Sequence, residues 1–324
     1  LQGPSLQPGD IRLFGALEGA DNTAAIQAAC DAATAGGVVR LTVNSLISTG
    51  IVITVPNIAV DGCGRYMQFA HGFVKHPGPG NWDPYNVMLV ANANNVWFNR
   101  IRFLGNTEAA TANYFAGSFS WFAQGVLNGG VDECYYENLR YDPTTNSVAI
   151  QTSSTSQNIK ISRCKFLDCT GAVSLQGVYS TCENCTSEKT NAAGGTPLSA
   201  TGGTDQPFGT DGSLGCSFIN LKVVNSSGVP PSGALIGANV AASKFLISNC
   251  EILGYTGGVA LYIRDSSSGM VHNCINDGLG YTALGAWAHL RVDGGCSNVF
   301  VTDNIFLGPL VSGSGQGADI YTGG

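Results

Sequence analysis

The feature that most restricts this chain is a six-residue segment that recurs nine times, as Ile58–Cys63, Val96–Ile101, Cys134–Leu139, Ile159–Cys164, Ser180–Cys185, Cys216–Leu221, Phe245–Cys250, Gly269–Cys274 and Val299–Asn304. Repeats are sought first because they separate solenoids from globular folds. The residue before the last in each segment reads Gly62, Arg100, Asn138, Arg163, Asn184, Asn220, Asn249, Asn273 and Asp303. Seven of these nine are Gly, Asn or Asp, the types that enter the left-handed backbone region at least steric cost. One tight bend per repeat is therefore expected, with Arg100 and Arg163 as departures.

The last residue of each segment reads Cys63, Ile101, Leu139, Cys164, Cys185, Leu221, Cys250, Cys274 and Asn304. Three positions earlier stand Val60, Phe98, Tyr136, Ile161, Cys182, Phe218, Ile247, Val271 and Val301. Period-2 alternation on both sides of a fixed bend predicts two short strands meeting at a corner, with two inward ladders. The bends are spaced by 38, 38, 25, 21, 36, 29, 24 and 30 residues. The shortest intervals set the bare coil, and longer ones carry insertions. The expectation is one all-β domain over residues 1–324, a right-handed parallel β-helix of about nine or more coils. Insertions are expected at about 64–86, 105–125 and 187–215.

The eleven cysteines fit this reading. A free Cys is a small apolar residue that packs in a stacked interior, so Cys63, Cys164, Cys185, Cys250 and Cys274 are expected to be buried thiols. The single Cys182–Cys185 pair lacks the second pair of a zinc site. No metal and no cofactor are expected.

An open solenoid end exposes core and strand edges and needs a cap. The stretch from Asp21 to Cys30 supplies a helix at about 22–35, capped by Asp21 or Asn22, with Ile26, Cys30 and Ala33 on one face. Gly36-Gly37 ends it and Val38-Val39-Arg40-Leu41 returns to strand.

Three features here, namely Asp10-Ile11-Arg12-Leu13-Phe14-Gly15-Ala16, the Asp21-Asn22-Thr23-Ala24-Ala25-Ile26-Gln27 helix and Gly36-Gly37-Val38-Val39-Arg40-Leu41, resemble the opening of pectate-lyase-superfamily β-helix proteins. That group includes phage tailspikes, pectinases and related polysaccharide enzymes. The usual acidic turn is shortened here to Glu18-Gly19-Ala20-Asp21-Asn22. The resemblance implies a polysaccharide partner, a glycosidase or lyase activity, a homotrimer, association with other virion or tail proteins, and an extracellular or virion location. A non-catalytic glycan-binding spike and a secreted pectinase-like enzyme are the alternatives.

Composition narrows the partners. The net charge is −7, with 11% charged residues, and no basic patch of the kind a phosphate backbone needs is visible, so nucleic acid is not expected. No apolar run is long enough for a membrane span, and no signal peptide is read.

The third strand of each coil is expected at Leu89–Asn92, Val126–Asn128, Val148–Gln151, Val173–Gln176, Leu235–Asn239, Leu261–Asp265 and Leu290–Asp293. Outward amides there, among them Asn92, Asn128, Gln151, Gln176 and Asn239, both donate and accept hydrogen bonds and suit sugar hydroxyls. They equally suit a structural amide ladder. Asp265 and Asp293 lie on equivalent strands of adjacent coils, and glycoside hydrolysis uses two flanking carboxylates. Tyr262, Arg264 and Arg291 share that patch, which an Arg–Asp structural network also explains. Asp205 and Asp211 in a Gly-rich insertion are a second carboxylate pair. Trp82 and Trp121 offer aromatic faces to sugar rings. His71 stands alone, and Lys75 with His76 is the compact option for a lyase base. The column Ala59, Trp97, Tyr135, Lys160, Thr181, Ser217, Leu246, Met270, Phe300 is apolar at both ends, which predicts side-by-side packing of chains.

Overall fold

The computed structural model describes residues 6–74, 86–105, 117–139, 148–169, 171–190, 208–226, 236–239, 242–254, 259–277, 287–293, 295–307 and 317–322. Its strands form three parallel sheets of ten strands each, and every strand bonds to the third strand before and after it. One chain therefore winds through sheets A, B and C once per coil, a right-handed parallel β-helix. Ten coils at a strand spacing of ~4.8 Å make a rod about 43 Å long. The coil not counted from the repeats is the first, with strands Val38–Arg40, Ser45–Thr49 and Ile51–Ile53.

A second left-handed corner, absent from the sequence reading, explains why sheet A is so regular. Left-handed residues occur in pairs five apart: Asn95 and Arg100, Asn128 and Glu133, Asn158 and Arg163, Tyr179 and Asn184, Gly215 and Asn220, Lys244 and Asn249, Ser268 and Asn273, Asn298 and Asp303. Each pair brackets four residues in sheet A, and the φ angles lie between +51° and +68°. A single αL residue turns the chain sharply and hands the next residue to a new sheet. Asn types dominate because they bear this conformation at low cost. Several also bond up the stack, as Asn220 Nδ2 does to Asn184 Oδ1 at 2.6 Å and Asn273 Nδ2 to Asn249 Oδ1 at 2.7 Å.

Two register expectations are corrected. The Cys134–Leu139 segment lies one corner too late: its strand Tyr135–Glu137 belongs to sheet B, and the sheet A strand of that coil is Leu127–Asp132. The bend there is Glu133, the inward residues are Cys134 and Val131, and the outward residue beside Trp97 and Lys160 is Gly130 rather than Tyr135. Gly130 is required, since a Cβ would stand 2.0 Å from the Lys160 carbonyl oxygen and 2.8 Å from the Trp97 ring. In the second coil the spacing from Asn57 to the bend is six, so Cys63 itself takes the left-handed position, at φ 49°, and is exposed rather than buried.

With that register the inner ladder reads Ile101, Cys134, Cys164, Cys185, Leu221, Cys250 and Cys274, all at most 2% exposed. The preference for Cys has a local cause. The αL bend leaves the carbonyl two residues earlier at a buried corner, and the thiol donates to it: Cys164 to Ser162 O, Cys185 to Glu183 O and Cys250 to Ser248 O, each at 3.3 Å. Asn304 ends the ladder by bonding back to the previous coil, accepting from Cys274 N at 2.8 Å and donating to Val271 O at 3.1 Å. Sheet B adds an aromatic stack, Phe103 on Tyr136 at 4.7 Å and Tyr136 on Phe166 at 4.9 Å.

The helix Thr23–Ala32 caps the rod, with Ile26 and Cys30 buried. Asp21, not Asn22, accepts from Thr23 N, and Asn22 instead bonds Leu17 and Ser45. All three first strands receive partners at the exposed edge. Arg40 N donates to Gly9 O, Leu46 N to Ala20 O, and the Gln27 amide bonds both N and O of Val52 at 2.9 Å, standing in for a strand.

Candidate functional site on sheet C

The strands of sheet C are Ile51–Ile53, Asn86–Ala91, Gly117–Phe122, Val148–Thr152, Gly171–Leu175, Phe208–Asp211, Ile236–Asn239, Val259–Ile263, Trp287–Val292 and Gly317–Thr322. The expected insertions are thus partly strand: Tyr66–Val74 and Thr186–Lys189 belong to sheet B, and Gly117–Phe122 and Phe208–Asp211 to sheet C. Conversely, Val126–Asn128 is not a sheet C strand. Leu127 and Asn128 begin the sheet A strand, and Asn128 accepts from Asn158 at 3.2 Å as part of a corner ladder.

Cross-coil register places Val52, Val90, Trp121, Gln151, Ser174, Gly209, Gly237, Tyr262, Arg291 and Tyr321 in one column, with inward Leu, Ile, Val and Phe residues on the neighbouring column. The column is not uniformly open. Trp121 is 5% exposed and Gln151 7%, so neither presents a face to a ligand, and the expectation that they meet sugar directly is corrected. Gln176 is half-buried, with its N–H donated to Thr152 Oγ1 at 2.9 Å.

Toward the later coils the same face carries a charged cluster. Asp293 Oδ2 accepts from the Tyr262 hydroxyl at 2.5 Å, and Asp293 Oδ1 accepts from Arg291 Nε at 2.7 Å. The Arg291 guanidinium lies over the Tyr262 ring at 5.4 Å. This geometry follows from register. Tyr262 pairs with Arg291, so the next outward residues, Arg264 and Asp293, are also neighbours. Asp265 lies one residue past that pairing at φ 46°, with its carboxylate 3.3 Å from Arg264 Nε.

The electrostatics assign distinct characters to the members. Partial burial pushes the Asp293 carboxyl up, but the hydrogen bonds from Arg291 and Tyr262 outweigh it, and its pKa falls below the usual carboxylate value. The Tyr262 phenol is pushed up to about 12 by burial and by the Asp293 carboxylate. At neutral pH the cluster is thus an ionised carboxylate held by a neutral phenol and a guanidinium. Such a carboxylate can take a proton or attack as a nucleophile, and it is not a general acid.

Of the other expected carboxylates, Asp211 does not join it. Asp211 pairs with Asn239, which the register sets beside Arg264 and then Asp293, three coils and about 14 Å from Asp293. Asp205, Trp82, Lys75 and His76 lie outside the described residues, as does the side chain of His71. Among the described residues no three His, Cys, Asp or Glu side chains converge as metal ligands. Among the described residues no helix is long and apolar enough to cross a membrane.

A polar pair inside the same coils was not legible from sequence. Asn276 Nδ2 lies 2.6 Å from His289 Nδ1, and His289 stacks on Phe306 at 5.3 Å. The only sequence signal was an Asn in an apolar column, with Ile252 before it and Phe306 after it.

No protein-family model matches the chain, and no curated protein sequence matches it. Solved structures do. The enzymatically active domain of tailspike protein 2 from bacteriophage CBA120 superposes with a TM-score of 0.63 at 13% identity, over 98% of this chain and 46% of that one. The A-module of a mannuronan C-5 epimerase from Azotobacter vinelandii gives 0.53 at 11%, over 97% and 99%. A DFA-IIIase from Arthrobacter chlorophenolicus A6 in complex with GF2 gives 0.60 at 10%, over 97% and 93%. The chain spans under half of the tailspike chain it matches. At these identities the likeness is one of fold, and the chain has the single-stranded right-handed parallel β-helix fold that these proteins share.

Proposed function

We infer that this chain binds and cleaves a polysaccharide, as the glycan-degrading rod of a tailspike-like assembly acting on a bacterial surface. The observation that carries this reading is the convergence of Tyr262 and Arg291 on an ionised Asp293 on the outer face of sheet C. The names of the neighbours, among them an enzymatically active tailspike domain and a mannuronan epimerase, support a carbohydrate substrate. In this reading Asp293 is the base or nucleophile and Asp265, one coil away, the second carboxylate. Tyr262, Arg264 and Arg291 hold the sugar, and Gln176 and Trp82 extend the binding face. Asp211 is too far from Asp293 to act as its partner, because paired glycosidase carboxylates stand within about 9.5 Å. Asp205 remains a proposed contributor from the insertion. The assembly is a homotrimer, on a virion or otherwise extracellular.

A binding-only role is the second reading, favoured by the engagement of both Asp293 oxygens by its own neighbours. One assay separates the two. Bacterial capsular polysaccharides are incubated with the chain, and reducing ends and the ultraviolet absorbance of an unsaturated product are followed. Cleavage that falls at least about 100-fold in Asp293→Asn supports the catalytic assignment. Retained binding with no release from any glycan rejects it.

A further inference from the structure

The outer face of sheet A, in the second to fifth coils, carries an arrangement that the sheet C cluster does not use. The outward column there reads Ala59, Trp97, Gly130 and Lys160. Gly130 holds an outward position and is nevertheless buried, and a Cβ on it would meet the Trp97 ring at 2.8 Å. The indole of Trp97 therefore lies down along the rod, over the next coil, where a side chain at 130 would stand. Trp97 as a whole is half-buried, so the ring rests on the sheet and its remaining surface is open. Trp121, by contrast, is buried.

The rim of this platform is made of amides. Asn99 follows Trp97 by two residues on the same outward face, half-buried, and among the described residues its side chain makes no hydrogen bond. Its column neighbours are Asp61 and Asp132. Both carboxylates are engaged, Asp61 by Arg100 and Asp132 by Arg163 and by the Ser162 hydroxyl at 2.7 Å. On the other side of the indole runs the corner ladder. Asn95 Nδ2 donates to Asn57 Oδ1 at 2.6 Å, which leaves the Asn95 carbonyl as an acceptor. Asn128 Oδ1 accepts from Asn158 Nδ2 at 3.2 Å, which leaves the Asn128 amide as a donor.

A flat apolar surface inside a rim of uncharged donors and acceptors matches one kind of ligand. A pyranose sets its C–H face on an indole and its ring hydroxyls against amides, which both donate and accept. A uronate would bring its charge toward Asp61 and Asp132, and juxtaposed like charges oppose binding. With both carboxylates held by arginines, nothing here supplies the free acid and base that cleavage requires. Trp97 and Asp293 also lie on different sheets and six coils apart, about 29 Å along the rod.

We propose that Trp97, with Asn95, Asn99 and Asn128, forms a second, non-catalytic glycan-binding site on sheet A that stacks a neutral pyranose ring. The inference rests on the polysaccharide reading above for its ligand class and is independent of the role of Asp293.

Binding is measured on the full chain carrying Asp293→Asn, so that no ligand is consumed. A microarray of cellohexaose, maltohexaose, chitohexaose, neutral bacterial surface polysaccharides and an alginate hexamer selects the ligand, and calorimetric titration with the strongest neutral glycan gives its affinity. The expected result is binding of a neutral glycan that Trp97→Ala weakens at least about tenfold, as truncation of an aromatic anchor does. Trp97→Phe should restore part of it, and Asn99→Ala should weaken it several-fold. Circular dichroism melts check that each variant is folded, and Asn99→Ala carries the test if Trp97→Ala does not fold. Absence of binding by every neutral glycan overturns the proposal. So does a neutral glycan whose affinity is the same in folded Trp97→Ala and Asn99→Ala, or one lost only in Arg291→Ala, which places binding on sheet C. A Trp97→Ala chain with altered oligomeric mass and unaltered glycan affinity gives this face to a second copy and overturns it too. Cleavage by the wild type without Trp97-dependent binding would remove this site and leave the catalytic reading intact, and Trp97-dependent binding without cleavage would do the reverse.

Discussion

Replacing Phe166 by Ala tests whether the stacked interior, rather than the sheets alone, holds the coils together. Phe166 is fully buried, stacks on Tyr136 at 4.9 Å and 14°, and meets Phe208 edge-on at 6.0 Å and 83°. Removing a buried Phe ring costs about 3–5 kcal/mol through lost transfer energy and a residual cavity. Aromatic pairing contributes a further ~0.5–1.5 kcal/mol within and beyond that range. The coils above and below are hydrogen-bonded into the ladder and cannot close the gap, so a value near 4 kcal/mol is expected. With unfolding entropy of about 2.1 cal/mol/K per residue, a cooperative rod of this length loses roughly 6 °C in Tm. Differential scanning calorimetry reads that shift directly. Phe306→Ala is the control, because Phe306 is half-buried and stacked on His289. It should cost about half as much, since a half-buried ring loses less transfer energy and leaves a smaller cavity. Equal shifts for the two variants would refute the stacking argument and place the stability in the backbone ladders.

Three further outcomes follow from particular residues. Asp10 is held down to about pKa 2, foremost by its hydrogen bond from Arg12. A carboxyl lowered on folding stabilises above its unfolded value of about 4 and loses that contribution as pH falls toward 2. The Tm gap between wild type and Asp10→Asn should therefore be present at pH 7 and close between about pH 4 and 2, and a pH-independent gap would contradict it. Of the eleven thiols only Cys63 is exposed and Cys296 half-buried. A thiol reagent should find one fast site, abolished by Cys63→Ser, a slower one at Cys296, and the other nine on unfolding. Lys244 is exposed and left-handed at φ 53°. Lys244→Asn should raise stability by about 1 kcal/mol and Lys244→Val lower it, as denaturant midpoints would report.

What the sequence determined by itself is what is local and periodic. A left-handed corner admits few residue types at low cost, so Asn184, Asn220, Asn249 and Asn273 mark one bend in successive coils. The inward residue after most bends is apolar, as Ile101, Cys164, Cys185, Leu221, Cys250 and Cys274 are. Those constraints were enough for the solenoid, its capping helix and most of two ladders.

Only the tertiary structure decided which corner a given bend occupies. Glu133 and Asn138 are both left-handed, five residues apart in one coil, and nothing within six residues distinguishes the sheet A corner from the next one. Pairing Val131 with Phe98 and Ile161 does, and that is a contact across 33 and 30 residues. The second bend series is not legible in the sequence for a related reason, since Tyr179, Lys244 and Ser268 take αL positions that their types do not advertise. At the candidate site, Tyr262, Arg264, Arg291 and Asp293 stood out as residues in a pattern. Their hydrogen bonds depended on a one-residue register, which put Asp293 beside Arg264 and left Asp265 at the corner. Burial of Trp121 and Gln151 depended on the same long-range packing. Residue type fixes what a position tolerates, and register across coils fixes what it touches. The second is set by the summed ladder of the whole rod, which no single segment contains.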